Sequence, residues 1–133
     1  MTGHPVEAAT SVVERLTRAQ RYAAQGLSRQ LAEDGCTLDQ WRVLRVLADG
    51  EGHLMGEVAA ELLLAQPTLT RVVDGLVDRG LVYRRVSDAD GRKVAVHLSR
   101  QGRLRLVRLD AIVTAHETAL HDDPRWRELS AGL

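Results

Sequence analysis

The 133-residue sequence contains one cysteine, Cys36, one lysine, Lys93, and no run of 18 or more apolar residues. A membrane-spanning helix requires such a run, so we expect no contact with a membrane. The N-terminus lacks a basic segment followed by an apolar core, which predicts no secretory signal and a cytoplasmic location. With 44% hydrophobic residues, the chain is long enough for one compact domain.

Motifs for catalysis and for metal binding are also missing. The sequence has no glycine-rich phosphate-binding loop, no pair of carboxylates in an apolar setting and no nucleophile motif, so we expect neither an enzyme nor a cofactor. His116, Glu117 and His121 lie together in a predicted helix. A spacing of five residues does not place both histidines on one helix face, which disfavours a metal sensor.

Residues 64–98 carry the strongest structural signal. Apolar residues at helical spacing predict one amphipathic helix, and they are Leu69, Val72, Val73, Leu76 and Val77. Pro67 suits the first residue of this helix, and Gly80 suits the left-handed residue that ends it. The opposite face is free for a partner and carries Pro67, Thr70, Arg71, Asp74 and Asp78. Gln66 and Thr68 lie beside the N-terminus, where backbone amides and the helix dipole favour phosphate.

A β-hairpin is predicted after Gly80. Residues 81–86 and 94–98 are rich in β-branched residues, and turn-forming residues separate them. From residue 66 to residue 105 the chain holds nine basic and four acidic residues, a local net charge of +5 in a chain of zero net charge. This concentration of positive charge favours DNA as a partner. Arg84 and Arg85 point to opposite sides of a strand, so at most one of them can face DNA directly.

The segment LTRVVDGLVDRGLVYRRVSDADGRKVAVHLSRQG resembles the recognition helix, the wing and the start of the following helix in the MarR family of bacterial transcriptional regulators. GCTLDQWRVLRVL and GEVAAELLL are similar to helix 2 and helix 3 of that family. The resemblance implies a mainly α protein with a small β-hairpin wing (α+β), a winged helix-turn-helix with N- and C-terminal dimerisation helices. It implies one domain over residues 1–133, with a DNA-binding lobe at 37–98 and dimerisation helices at 5–34 and 99–133.

The two ends of the chain favour a homodimer. Residues 5–33 form a long helical pattern with an apolar stripe, and residues 103–120 are apolar on more than one side. Ser99 is a plausible N-cap of the second of these helices, and Asp123 followed by Pro124 suits the start of a short last helix. The alternative is that these helices cover the core of a single monomer. The resemblance implies an intertwined dimer of first and last helices.

A MarR-like dimer would place each recognition helix in a major groove of a pseudo-palindromic operator and would extend its wings into minor grooves. Repression is the common mode of the family. We expect Arg92 at the wing tip to enter a minor groove and Asp90 to hold an arginine in position. The predicted DNA-binding residues are Gln66, Pro67, Thr68, Thr70, Arg71, Arg84, Asp90, Arg92 and Lys93.

The resemblance also implies a small aromatic acid or phenolic effector between the dimerisation helices and the DNA-binding lobe. Arg15 is at a position similar to one that meets a ligand carboxylate in relatives, Tyr22 would add an aromatic wall, and Trp41 would line the pocket or belong to the core. Two alternatives stay open. Cys36 would make the chain a redox-responsive regulator, although a small buried hydrophobic role fits it better. A winged-helix protein-interaction module would normally lack the basic wing tip.

Overall fold

The computed structural model describes residues 11–86 and 93–133. The elements in these ranges are α1 (Val12–Glu33), α2 (Leu38–Val46), a 3₁₀ turn (Leu47–Asp49), β1 (His53–Leu54), α3 (Met55–Leu62), α4 (Gln66–Asp78), β2 (Val82–Val86), β3 (Val94–Leu98), α5 (Arg100–His121) and α6 (Pro124–Ser130). The predicted mainly α architecture with a small β wing is confirmed. Among the described residues, none of the helices combines the length and the apolar character needed to span a bilayer.

The wing sheet has three antiparallel strands in the order β1-β3-β2. The hairpin of β2 and β3 was predicted, whereas β1 was not. Only His53 and Leu54 form β1, paired with Val96 and Ala95, and two residues are too few to produce an alternating pattern. This short strand leads directly into α3, whose start is capped by Glu57: its carboxylate accepts the Leu54 amide at 3.1 Å.

The core forms where α4 packs against α2, α3 and the sheet. The predicted apolar stripe of α4 is confirmed, because Leu69, Val73 and Leu76 are fully buried. Each such side chain contributes about 1.5–3 kcal/mol relative to an exposed one. Gly80 follows α4 with φ +73°, as predicted, and the Leu81 amide donates to the Leu76 carbonyl at 3.0 Å. This C-terminal motif turns the chain from α4 into β2.

The structure defines the N-termini of helices α1 and α4. Helix α1 begins at Val12, because Ser11 has non-helical φ/ψ and its Oγ accepts the Glu14 amide at 3.5 Å. Serine followed three residues later by glutamate is a capping-box pattern, which marks the start of α1. Residues 5–10, the first part of the predicted helical pattern, lie outside the described residues. Helix α4 begins at Gln66, so Pro67 is its second residue.

Helices α1, α5 and α6 pack together at the other end of the molecule. The predicted caps are confirmed, since Ser99 Oγ accepts the Gly102 amide at 2.9 Å and Asp123 Oδ1 accepts the Arg125 amide at 2.8 Å. His116 of α5 is buried against α1, where a methyl group added at Gly26 would lie 2.7 Å from its Cε1 atom. The absence of a side chain at Gly26 therefore lets the two helices approach.

Candidate nucleic-acid interface and effector cavity

The outer face of α4 is polar and open. Gln66, Pro67, Thr70 and Arg71 are exposed, and Thr68 is half-buried. The Thr70 hydroxyl donates to the Gln66 carbonyl at 3.0 Å, which holds that side chain against its own helix. The first turn of α4 carries no acidic residue, so its free amides and positive dipole end are not neutralised from within that turn. This end of the helix can receive a phosphate oxygen.

Arg84 of the wing is held against α4. In the β2–β3 register Arg84 lies opposite Val96, which is buried, so Arg84 is on the face of the sheet that packs on the helix. Its Nη2 pairs with Oδ1 of Asp74, on the exposed face of α4. Arg85 is on the opposite face, as the alternation predicts. Both residues of this ion pair stand out in the sequence, but their pairing does not, because the contact joins two different elements.

Lys93 and Gln66 are brought together at a second edge of the same surface. Both line a groove of about 510 Å³ between the starts of α3, α4 and β3, together with Met55 and Gly56. Asp90 and Arg92, the other two predicted wing residues, lie outside the described residues. The described part of the predicted interface thus follows the exposed face of α4, with Lys93 near its first residue, Gln66, and Arg84 farther along the helix, at Asp74.

A separate cavity of about 480 Å³ lies between α1, α2, α5 and α6. Its apolar lining includes Leu27, Leu38, Leu120 and two indole rings, those of Trp41 and Trp126. The ring of Trp41 is fixed because its Nε1 donates to Asp110 Oδ1 at 2.9 Å. The polar groups on the lining include Arg42, His116, Glu117 and His121. A flat apolar ring with polar substituents matches this combination of walls.

Arg15 and Tyr22 do not line this cavity, so the structure does not bring the three predicted effector residues together. Arg15 donates from Nη2 to the carbonyl of Ala131, just after α6. Tyr22 donates from its hydroxyl to Oδ2 of Asp123, the N-cap of α6, at 2.5 Å. This hydrogen bond raises the pKa of Tyr22 and lowers the pKa of Asp123. Both residues of α1 therefore tether α6, one at each of its ends.

The cavity arginine is Arg42, which sequence analysis did not single out. It follows Trp41 directly, and its Nη1 donates to Asp39 Oδ1 at 3.1 Å. Its Nη2 donates to the carbonyl of Leu62, the last residue of α3, at 2.5 Å. The sequence signal that could have identified Arg42 as a lining residue is its place next to Trp41 on the same helix. That signal is weak, because Arg45 of the same helix faces Asp110 instead.

The two alternative sensing sites have ordinary structural surroundings. His116 Nε2 lies 3.0 Å from the Ala23 carbonyl and its Nδ1 lies 3.4 Å from Gln30 Nε2, so both ring nitrogens already have polar partners within the fold. In residues 11–86 and 93–133 no group of three or more His, Cys, Asp or Glu is arranged to hold a metal ion. Cys36 is 4% exposed, and burial raises the pKa of its thiol, which disfavours the reactive thiolate.

Apolar side chains remain uncovered on the helices at the two ends of the chain. Val12, Val13 and Leu16 are exposed at the start of α1, with Val13 at 72%. Leu104 and Val107 are exposed on α5, with Val107 at 67%. In the single chain these five side chains contribute little to the core. They provide apolar surface for an additional partner.

Sequence comparison gives a consistent set of relatives. A family model described as the MarR family matches residues 34–93. The chain is similar to the HTH-type transcriptional repressor YetL of Bacillus subtilis, at 29% identity over 82 residues that cover 60% of this chain and 49% of the repressor. It is also similar to the homoprotocatechuate degradative operon repressor of Escherichia coli, at 29% identity over 83 residues that cover 62% of this chain and 56% of that protein. The chain thus spans about half the length of these curated relatives.

The fold is similar to that of a solved protein–DNA complex. The transcriptional repressor CouR, bound to a 23-mer DNA duplex, has a TM-score of 0.81 and 27% sequence identity to this chain. The similarity covers 98% of this chain and 89% of that one. The whole arrangement of helices and wing is therefore shared, and not only the segment that the family model matches.

Proposed function

This chain belongs to the MarR family of winged helix-turn-helix transcriptional regulators, and on this premise we propose that it is a homodimeric DNA-binding repressor released by a small aromatic ligand. The prediction that the chain is not an enzyme agrees with this family. The observation that carries the DNA-binding part is the open polar face of α4, flanked by a wing whose Arg84 is paired to that helix through Asp74. An arginine held in this way is pre-organised for a phosphate or a base edge.

The dimer brings two such surfaces together. We propose that residues 5–34 and 99–133 form the interface and that 37–98 form the DNA-binding lobe of a single domain. The exposed apolar side chains of α1 and α5 support this assignment, because a second copy would remove them from water. Two recognition helices related by a two-fold axis would enter major grooves about one helical turn apart, which requires a pseudo-palindromic operator.

The 480 Å³ cavity is the proposed effector site. Its lining combines two tryptophans with Arg42 and Glu117. An aromatic acid that also carries a ring hydroxyl satisfies both groups, the acid accepting from Arg42 and the hydroxyl donating to Glu117. The name of the Escherichia coli relative, which refers to the degradation of an aromatic acid, supports the same class of ligand.

A gel-shift with the DNA just upstream of this protein's own coding region tests the DNA-binding proposal. We expect a sharp retarded band and a footprint with two-fold symmetry, and we expect affinity to fall steeply as salt rises. Arg71→Ala should weaken this band, whereas Arg45→Ala, which removes the same charge from a surface ion pair between α2 and α5, should not. Absence of binding to this DNA and to a genomic library would favour a protein-interaction module instead.

A further inference from the structure

Arg42 touches both the effector cavity and the helix-turn-helix. It lines the 480 Å³ cavity, and its Nη2 donates to the carbonyl of Leu62 at 2.5 Å. Leu62 ends α3, and the next residue, Leu63, is the first of the turn that leads into α4. Arg42 thus connects the wall of the cavity to the turn that precedes the recognition helix.

The bond from Arg42 satisfies a carbonyl at the end of a helix. The last carbonyls of an α-helix have no partner within the helix, and a cation there also interacts favourably with the helix dipole. Two other carbonyls near the end of α3 are satisfied by amides of the turn, because the Leu64 amide donates to the Ala59 carbonyl and the Leu63 amide donates to the Ala60 carbonyl. The Leu62 carbonyl instead depends on a side chain of another helix, which makes it sensitive to what that side chain binds.

We propose that Arg42 is the positioning residue through which an anion in the cavity acts on the helix-turn-helix. This rests on the proposed effector function. A carboxylate binds guanidinium best through two parallel N–H groups, and both terminal nitrogens of Arg42 already have acceptors, Asp39 for Nη1 and the Leu62 carbonyl for Nη2. A carboxylate that takes these two nitrogens end-on from the cavity side draws them away from those acceptors. When the guanidinium turns to the ligand, the Leu62 carbonyl loses its donor. The turn before α4 then loosens, and the recognition helix is no longer held in the DNA-binding position.

Hydrogen exchange of the full chain tests this link without any DNA. The amides of Leu63 and Leu64 report on the turn, because both are bonded to α3 carbonyls. Arg42→Gln should accelerate their exchange about fivefold, and Arg42→Lys should restore part of the protection. Arg45→Gln is the matched control, since it removes an arginine of the same helix whose partner is Asp110 and which does not line the cavity. Equal exchange in Arg42→Gln and Arg45→Gln would overturn the proposal.

The ligand arm uses benzoate, salicylate and 4-hydroxycinnamate as probes. Both tryptophans of the chain line the cavity, so their fluorescence reports ligand binding once the change that the same probe concentration produces in free tryptophan is subtracted. A probe that changes the fluorescence should accelerate Leu63 and Leu64 exchange in the wild type, with no further acceleration in Arg42→Gln. A fluorescence change at saturation without faster exchange would overturn the Arg42 link alone. If no probe changes the fluorescence, the effector function itself fails, and the link fails with it.

Discussion

Leu63 is held in a backbone conformation that suits glycine. Its φ is +54°, and among the described residues it is the one non-glycine residue with a positive φ. Its side chain is 91% exposed, so little burial compensates for the strain. The left-handed region costs an L-residue roughly 1–2 kcal/mol. Leu63→Gly removes this cost but adds about 0.5–1 kcal/mol of backbone entropy to the unfolded chain. We therefore expect a net stabilisation of about 0.5–1 kcal/mol.

Leu63→Ala separates the backbone effect from the loss of the side chain. Alanine keeps the Cβ atom that causes the strain, so this variant should be as stable as the wild type. Urea unfolding followed by circular dichroism, at one fixed protomer concentration, measures both variants against the wild type. We expect a higher midpoint for the glycine variant at an unchanged m-value. If Leu63→Gly is no more stable than Leu63→Ala, the positive φ carries no cost and the reasoning is wrong.

Three further predictions address the DNA surface, the helix interface and the α6 tether. If Arg71 contacts a base, Arg71→Ala should weaken binding to the operator by about 1–3 kcal/mol. If it contacts only phosphate, the variant should bind all DNA sequences more weakly, and the slope of log affinity against log salt concentration should fall by about one. Gel-shifts at several salt concentrations distinguish the two results. Gly26→Ala should destabilise by about 1–3 kcal/mol because the new methyl group meets the buried imidazole of α5. At Gly75 an added methyl group would lie 3.5 Å from its nearest neighbour, Gln40 Nε2, so Gly75→Ala should instead stabilise the fold by up to about 1 kcal/mol. The same urea unfolding experiment measures both glycine variants. Tyr22→Phe should raise the lowered pKa of Asp123, as an NMR titration would show. A carboxyl group whose pKa is lowered by folding stabilises the fold at pH values above its unfolded pKa of roughly 4, and this stabilisation is lost as the pH falls through the folded pKa. Because Tyr22→Phe has less of this stabilisation to lose, its free energy of unfolding should fall less in acid than that of the wild type.

The recognition helix and the hairpin could be predicted because their signals are local. Leu69, Val73 and Leu76 recur at helical spacing, and that spacing alone decides which side of α4 is buried. The residue that ends the helix, Gly80, was predictable for a similar reason, since a left-handed conformation restricts the choice of residue. Such signals need no knowledge of what lies opposite in the fold.

The pairing of polar side chains between elements was not predictable in the same way. Arg84 reaches Asp74 only because the sheet packs on α4 in one particular register. Arg42 reaches Leu62 because α2 packs against α3, and its acceptor is a backbone carbonyl, which every residue type possesses. A periodic pattern identifies the buried face of an element, but it does not identify the partner of a charged side chain on the other face.

Arg15 and Tyr22 illustrate this limit most clearly, since both were predicted to bind an effector. In the structure their partners belong to α6: Arg15 donates to the Ala131 carbonyl, and Tyr22 donates to the Asp123 carboxylate that also caps the helix. A helix terminus creates polar groups that compete with a ligand carboxylate for the same donors. Helix α6 also carries Trp126, one of the two tryptophans that line the cavity. The hydrogen bonds from Arg15 and Tyr22 to the ends of α6 therefore help to position Trp126. If the cavity is the effector site that we propose, Arg15 and Tyr22 would act on a ligand through α6, and the direct partner of a ligand carboxylate would be Arg42, which lines the cavity.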